Sequence, residues 1–474
     1  MNYNHNIKAR VLQFGEGNFL RAFIGDLIDQ MNANSDFNAG VVVVQPIKEG
    51  LIPIIKKQKG AYTLFINGIK NGKVIQQHKE IKTIISCNNP YDDFITYLEL
   101  AHLDTIDFII SNTTEAGISY EPEDTFDAKP PKSFPAKLTR WLWERWSYFE
   151  GNIDAGVAIL PCELINYNAD TLQQIILKYT FDWELEAAFS EWLKRACSFH
   201  NSLVDRIVTG YPKKNEETFK SQTTFEDQLM VVAEPFFLWV IEGDDKLKAK
   251  LPLNQTNLDV KIVENLQSFR TRKVRILNGA HTCIVSLSIM FGNSTVFETM
   301  ENKFTADFLK TAVLKEIAPH LEGNALEVSQ FANDVFERFK NPFVDHYLAS
   351  IVLNSISKFK VRVLPSLLAY KVAKGKYPLY LCFAFACLML FYKGSWKGNP
   401  LPVKDDSKQI TIFKLAWKAK DTRQTILQIL NKKRLWDIDL SLEKDLVNYL
   451  EVALLYIESE GIEKGFQTYL TKLQ

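Results

Sequence analysis

The apolar positions change period along the chain. Ala9 to Gly15 (ARVLQFG) is continuous enough to predict a short buried strand. From Asn18 to Met31 the spacing turns helical, with Phe19, Phe23, Leu27 and Ile28 on one face. Gly40 to Pro46 (GVVVVQP) predicts a second strand, stopped by its proline. Strand, helix and strand, with both strands apolar throughout, make a βαβ unit whose parallel strands are covered on two sides. Tyr62–Ile66 and Val74–Gln77 flank Asn71-Gly72 and predict a hairpin. Tyr91–Leu103 predicts a helix, Thr105–Asn112 a strand, Lys132–Phe149 an amphipathic helix and Gly156–Pro161 another strand. The alternation is expected to run to about Asn265. From Phe269 onward nearly everything reads as helix, with breaks near Pro342, Pro365 and Pro400 and a surface loop over Lys393–Val403. The expected architecture is an N-terminal α/β domain over residues 1–265 and an all-α domain over 266–474.

Composition narrows the class. Of 474 residues, 46% are hydrophobic and 24% charged, the balance of a globular protein. With 56 basic and 56 acidic side chains the net charge is zero, so no long-range field favours nucleic acid or an anionic membrane. The six cysteines, at 87, 162, 197, 283, 382 and 387, show no metal-type spacing and fit a reducing compartment. The run Leu379–Tyr392 (LYLCFAFACLMLFY) falls short of the roughly 20 residues that span a bilayer, and it predicts a core helix. MNYNHNIKAR has no apolar stretch of a secretory leader, so a cytoplasmic location is expected.

Phe14-Gly15-Glu16-Gly17-Asn18-Phe19-Leu20 follows the first strand and opens the first helix, where a dinucleotide fingerprint stands. Gly15 allows the tight turn. Gly17 lets backbone approach a pyrophosphate at the positive helix end. Phe14, Gly15, Gly17, Asn18 and Phe19 are therefore candidate cofactor contacts. Leu20 occupies the third glycine position, and a plain strand-to-helix turn explains the same residues. The second strand ends in Gln45-Pro46 and offers no carboxylate to a ribose. Gln45 can hydrogen-bond that hydroxyl instead, which leaves NAD and NADP both open on local chemistry.

A second constellation is Lys273, Asn278 and His281, in RKVRILNGAH ahead of an apolar helix. At 100° per residue they fall at about 0°, 140° and 80°, on one broad face. A ketone accepting hydride develops charge on oxygen and needs an acid and a hydrogen-bond donor. Lys273 can serve as the acid, helped by Arg272 or Arg275, with Asn278 as the donor and His281 orienting a hydroxyl. A basic helix start with a satisfied core histidine fits the same spacing.

The glycine turn together with K-x4-N-x2-H resembles the mannitol dehydrogenase family of polyol-specific long-chain dehydrogenases. VLQFGEGNFLRAF, VVVVQP, SNTTEAGI, FPAKLT, PCELI, NSLVDRIV, AEPFFLWVIEG and NSISKFKVRVLPSL carry the likeness along essentially the whole chain. GEGNFLR and PCEL separate it from the mannitol and fructuronate branches of that family. The resemblance implies a Rossmann-type dinucleotide-binding domain, a helical substrate domain, NAD and a metal-independent mechanism. It makes Lys273 the acid, Asn278 the oxyanion donor and His281 the positioning residue, and it puts Asp205 and Glu115 near the substrate. Tagaturonate is the expected substrate; fructuronate, a neutral polyol, or a non-catalytic nucleotide-binding role are the alternatives. In two places the chain departs from the mannitol branch. Leu164 stands where that branch has a second oxyanion asparagine, and Gln45-Pro46 where it has an aspartate. Asp205 with Arg206 also suits an ordinary ion pair. Lys358, Lys360 and Arg362 form a cationic cluster, from which Lys358 and Arg362 are candidate partners for a substrate carboxylate. The sequence does not reveal the oligomeric state.

Overall fold

The computed structural model describes residues 7–114 and 116–473. The chain divides into two compact units, Met1–Gly68 with Lys73–Leu266, and Gln267–Gln474 with Ile69–Gly72.

In chain order the first unit carries β1 (Lys8–Phe14), β2 (Ala39–Val44), β3 (Tyr62–Lys70), β4 (Lys73–Ile81), β5 (Ile84–Asn88), β6 (Phe108–Ser111), β7 (Ala158–Pro161) and β8 (Ser198–Phe199). Then follow β9 (Ser202–Asp205), β10 (Val208–Gly210), β11 (Val231–Ala233), β12 (Leu238–Glu242) and β13 (Asp259–Val263). The main sheet runs β5-β2-β1-β6-β7-β8, and every pairing in it is parallel. Counted within the sheet this is the doubly wound order 3-2-1-4-5-6, which reverses between β1 and β6.

Alternation explains why these strands are apolar throughout. Val11, Val41, Val43, Phe108 and Ile110 bury on one face, together with Phe23 and Leu27 of the helix Asn18–Asn34. Leu12, Phe14, Val42, Val44 and Ile109 bury on the other, with Leu138 and Trp141 of the helix Phe134–Tyr148. Each fully buried valine or isoleucine contributes about 1.5–3 kcal/mol, so the VVVV run anchors two layers at once.

Past Ala196 the expected alternation gives way. Strands dominate there and, with β3 and β4 from earlier in the chain, form two small sheets, β10-β11-β3-β4 and β13-β12-β9, which mix parallel with antiparallel pairing. The hairpin turns at Asn71 and Gly72, both with positive φ. Lys393–Val403 is likewise more ordered than a plain loop, since Ser395–Trp396 pairs with Asn399–Pro400.

A buried ionic knot fixes the helix Asn18–Asn34. Arg206 Nη1 donates to Asp26 Oδ2 at 2.6 Å and to the Ala22 carbonyl at 2.6 Å, while its Nε donates to the Glu234 carbonyl. Lys79 adds bonds to Asp26 and Asp29 at 2.8 and 2.7 Å. Burial alone would raise the Asp26 carboxyl, but Arg206 and Lys79 hold it below its ordinary range. Arg206, which the sequence suited to an ordinary pair with Asp205, reaches across to Asp26 on the helix Asn18–Asn34.

The second unit is helical. One continuous helical run, Gln267–Phe291, is long and apolar enough by length and composition to cross a membrane, and most of its apolar stretch is buried in the protein. The helix Leu379–Phe391 is buried from Leu381 onward on every side, which makes it a central helix. Its first N–H groups, those of Tyr380 and Leu381, donate to the two carboxylate oxygens of Glu316 at 3.1 and 2.9 Å. Burial pushes the Glu316 carboxyl up to about 7.

Removing one side of a buried ion pair strands the other charge. Arg206→Met is expected to lower unfolding free energy by about 3–5 kcal/mol in urea titrations, and a loss below about 1 kcal/mol would contradict the knot.

Candidate functional site

In the first unit, candidate residues gather at the carboxyl ends of β1, β6 and β7, beside the reversal of strand order. Gly15 has φ +114°, and a Cβ there would stand 2.9 Å from the Asn112 carbonyl oxygen, so only glycine fits the turn. Gly17 precedes the helix Asn18–Asn34 with open space where a Cβ would be. No side chain caps that helix and no acid stands in its first turn, which leaves its N–H groups available to an anion. Asn18 Oδ1 accepts from Arg21 at 2.9 Å, and Arg21 also donates to the Glu16 carbonyl at 2.5 Å, so the turn is braced from beneath.

Leu20, in the third glycine position, is buried with the core and packs beside Gly15. Phe14 is wholly buried against Tyr97 and Phe134, so only its backbone reaches the turn. Phe19 stacks on Phe23 at 4.9 Å between ring centroids. Gln45 is turned inward. Its amide nitrogen donates to the carbonyls of Ile47 and Lys48, and its oxygen accepts from the Ile52 N–H. Gln45, expected beside a ribose, organises the loop after β2 through that amide.

The loops after β6 and β7 share one carboxylate. Glu163 is buried and accepts from Ser111 Oγ, Thr113 N and Thr113 Oγ1, each at 3.0 Å. Burial raises its pKa. Asn112 bridges the same strands, donating from its amide to the Cys162 carbonyl at 2.8 Å. Thr114 takes φ +93°, a strained value for a β-branched residue and one that tends to mark functional loops. Glu115 lies outside the described residues. Leu164 is 59% exposed and carries no donor. Asp205 is buried at the end of β9. Sequence reading passed over Glu163 and Asn112, although both stand inside the quoted SNTT and PCEL segments.

The second unit carries its own group of candidate residues. Lys273–Asn278 is a π-turn set between the α-helices Gln267–Arg272 and Gly279–Phe291. Each N–H in such a turn reaches five residues back, so Lys273 and Asn278 lie one above the other on one face. His281, three residues on in α register, joins them. The regular-helix angles expected from the sequence are thus corrected, and the true register brings the three side chains closer in azimuth. Gly279 permits this. A Cβ there would lie 3.2 Å from the Arg362 carbonyl oxygen, so the helix Ser355–Arg362 passes close by.

His281 stacks on Phe339 at 4.1 Å and meets the His346 ring edge-on at 4.8 Å. Its Nε2 is buried without a hydrogen-bond partner. Burial lowers its pKa well below the ordinary value, with His346, Arg338, Arg362 and Lys358 adding to the effect. Lys358 donates to the Ile351 carbonyl at 2.8 Å, and burial followed by Arg362 lowers its pKa. Arg362 reaches Thr282 Oγ1 at 3.5 Å. Lys360 leaves the expected cluster and pairs with Asp437 at 2.9 Å. Arg272 lies over the Phe269 and Phe331 rings and 3.7 Å from Glu327 Oε2, and Arg275 donates to the Val361 carbonyl. Arg338, Phe339 and His346 were missed because nothing local marks them; only the fold brings them to His281. Among the described residues no group of three or more His, Cys, Asp or Glu side chains is placed to hold a metal.

The chain matches the mannitol dehydrogenase Rossmann domain over residues 9–255 and the mannitol dehydrogenase C-terminal domain over 265–458. It is 41% identical to an altronate oxidoreductase of Klebsiella pneumoniae (strain 342), covering 97% of this chain and 96% of that one. It is 40% identical to an altronate oxidoreductase of Bacillus subtilis (strain 168), covering 98% and 97%. Among solved structures, a substrate-free D-sorbitol dehydrogenase superposes with a TM-score of 0.82 at 19% identity, covering 97% and 95%. Pseudomonas fluorescens mannitol 2-dehydrogenase, in a ternary complex with NAD and D-mannitol, superposes with 0.69 at 17%, covering 98% and 95%. A 3-2-1-4-5-6 sheet with an uncapped glycine turn, a helical unit with Lys273, Asn278 and His281 on one face, and matches to both family domains lead to one conclusion: this chain belongs to the mannitol dehydrogenase family.

Proposed function

We propose that the protein is a cytoplasmic reductase that converts tagaturonate to altronate with NADH in hexuronate breakdown. The observation that carries this reading is the surroundings of His281. The His281 imidazole has a buried, unpartnered Nε2, and Arg338, Arg362 and Lys358 add to burial and His346 in disfavouring its charged form. Neutral imidazole suits a hydroxyl, and the cations suit a carboxylate, so the set matches a sugar acid better than a neutral polyol. The altronate oxidoreductase relatives, alike over nearly the full length, support the same substrate.

NADH fits the first unit. The positive φ of Gly15, the open space at Gly17 and the uncapped helix after it suit a pyrophosphate, and Asn18 is held beside that helix end by Arg21. When bound, NADH supplies the hydride. The remaining work falls to the second unit. Lys273 gives its proton to the carbonyl oxygen as charge grows there, Asn278 donates its amide to the same oxygen, and His281 orients a neighbouring hydroxyl. Lysine ordinarily titrates near 10.4, so the acid role requires partial burial and neighbouring cations to bring it down. Leu164 offers no second oxyanion donor, which leaves Asn278 with that task. Asp205 and Glu115 are proposed to contact the substrate on the strength of the family likeness.

The nearest competing reading is fructuronate reduction. Kinetics on tagaturonate, fructuronate and fructose, each with NADH and NADPH, are expected to favour tagaturonate with NADH; a preference for fructuronate or for fructose would overturn the assignment. Activity is expected to survive exhaustive chelation, and loss to EDTA with rescue by zinc or manganese would contradict the lysine mechanism. Lys358→Met is expected to raise the Michaelis constant for tagaturonate roughly 10- to 150-fold, the worth of about 1.5–3 kcal/mol in a charged hydrogen bond. Residual activity on a neutral ketose should hardly change. Equal losses on both substrates would make Lys358 a structural residue, and an acid-specific loss at Arg362 alone would move the carboxylate partner there.

A further inference from the structure

His346 has no part in the chemistry described so far, yet its position is tightly specified. Its carbonyl accepts from Val296 N at 3.0 Å, and its own N–H donates to the Val344 carbonyl at 3.0 Å. The next residue, Tyr347, bridges to Thr295, and Leu348 N donates to the Ser294 carbonyl at 2.9 Å. The segment is therefore pinned on both sides of His346. The ring it presents stands edge-on to His281, with centroids 4.8 Å apart and planes at 74°.

Two imidazoles this close cannot both be protonated cheaply. Burial lowers the pKa of each, and Arg338, Arg362 and Lys358 disfavour charge on His281 further. Both rings are therefore neutral at physiological pH, each with one N–H donor and one lone pair. His281 has a buried nitrogen without a partner, a costly placement for a polar atom unless a ligand completes it. His346 is only half-buried, so its ring can reach the ligand that completes His281.

We propose that His346 is a specificity-determining residue of the sugar-acid pocket. It reads the hydroxyl next to the one read by His281, and so helps to separate tagaturonate from its hydroxyl epimer fructuronate. A site built to hydrogen-bond a hydroxyl rejects an analogue that leaves its polar atoms unpaired, whereas a shape contact alone discriminates weakly. The inference rests on the sugar-acid reading of the site.

The test compares wild type with His346→Phe, which keeps a ring against His281 without nitrogen, and with His346→Gln, which keeps a polar end. Thermal unfolding and NADH binding by fluorescence check that each variant folds. For His346→Phe the Michaelis constant for tagaturonate is expected to rise roughly 10-fold or more while turnover falls little, and the preference for tagaturonate over fructuronate should shrink in proportion. His346→Gln should recover part of that preference. A folded His346→Phe enzyme with unchanged preference, or with equal losses on both acids, would overturn the inference while leaving the assignment of the reaction intact. A wild type that reduces neither acid would overturn both.

Discussion

One extra residue in one helical turn sets the chemistry of the second unit. Through Lys273–Asn278 the backbone bonds in π register, so side chains five apart stack, and the return to α register at Gly279 adds His281 to the same face. Hydrogen bonding is poorer in such a turn, and it persists because the packing leaves few alternatives. Ile276 and Leu277 are buried within it, and Gly279 faces the Arg362 carbonyl so closely that any side chain would push the helices apart. The same close approach sets Arg362 beside Thr282. The proposed acid, amide donor and imidazole are thus aligned by backbone geometry, and Lys358 and Arg362 come from a neighbouring helix.

The first unit solves a different problem, that of leaving a helix end open to an anion without losing the helix. Its N-terminus lacks a capping side chain, which ordinarily costs about 0.5–2 kcal/mol. The loss is offset lower down, where Arg206, Asp26, Lys79 and Asp29 tie the helix to the sheet through buried charged hydrogen bonds. Glu163 does similar work for the loops after β6 and β7, where one carboxylate orders three donors.

How much of this was legible in the sequence depends on range. The VVVV run, the GxG turn after ARVLQF and the apolar helix at Leu379 are local patterns with local causes, and each forms the element it predicts. The position of Leu20 was also visible, but not its meaning, since the helix packs through a buried leucine where the fingerprint has glycine. The partners of Gln45 and Arg206 were not legible, because loop closure and tertiary packing, which composition does not encode, set them: the loop after β2 for one and Asp26 for the other. The π-turn was invisible for a similar reason: an inserted residue in a helix leaves no periodicity signal in six positions. Arg338 and His346 are far from His281 in the chain, and only tertiary packing joins them.

The account turns on Lys273 as the proton donor on that face. Replacing it with alanine and measuring NADH affinity beside single-turnover reduction of tagaturonate separates binding from chemistry. The expected result is near-normal NADH affinity with turnover lower by about 100-fold or more, the range for losing a general acid. A Lys273→Ala enzyme that binds NADH and turns over at nearly the wild-type rate would contradict the account.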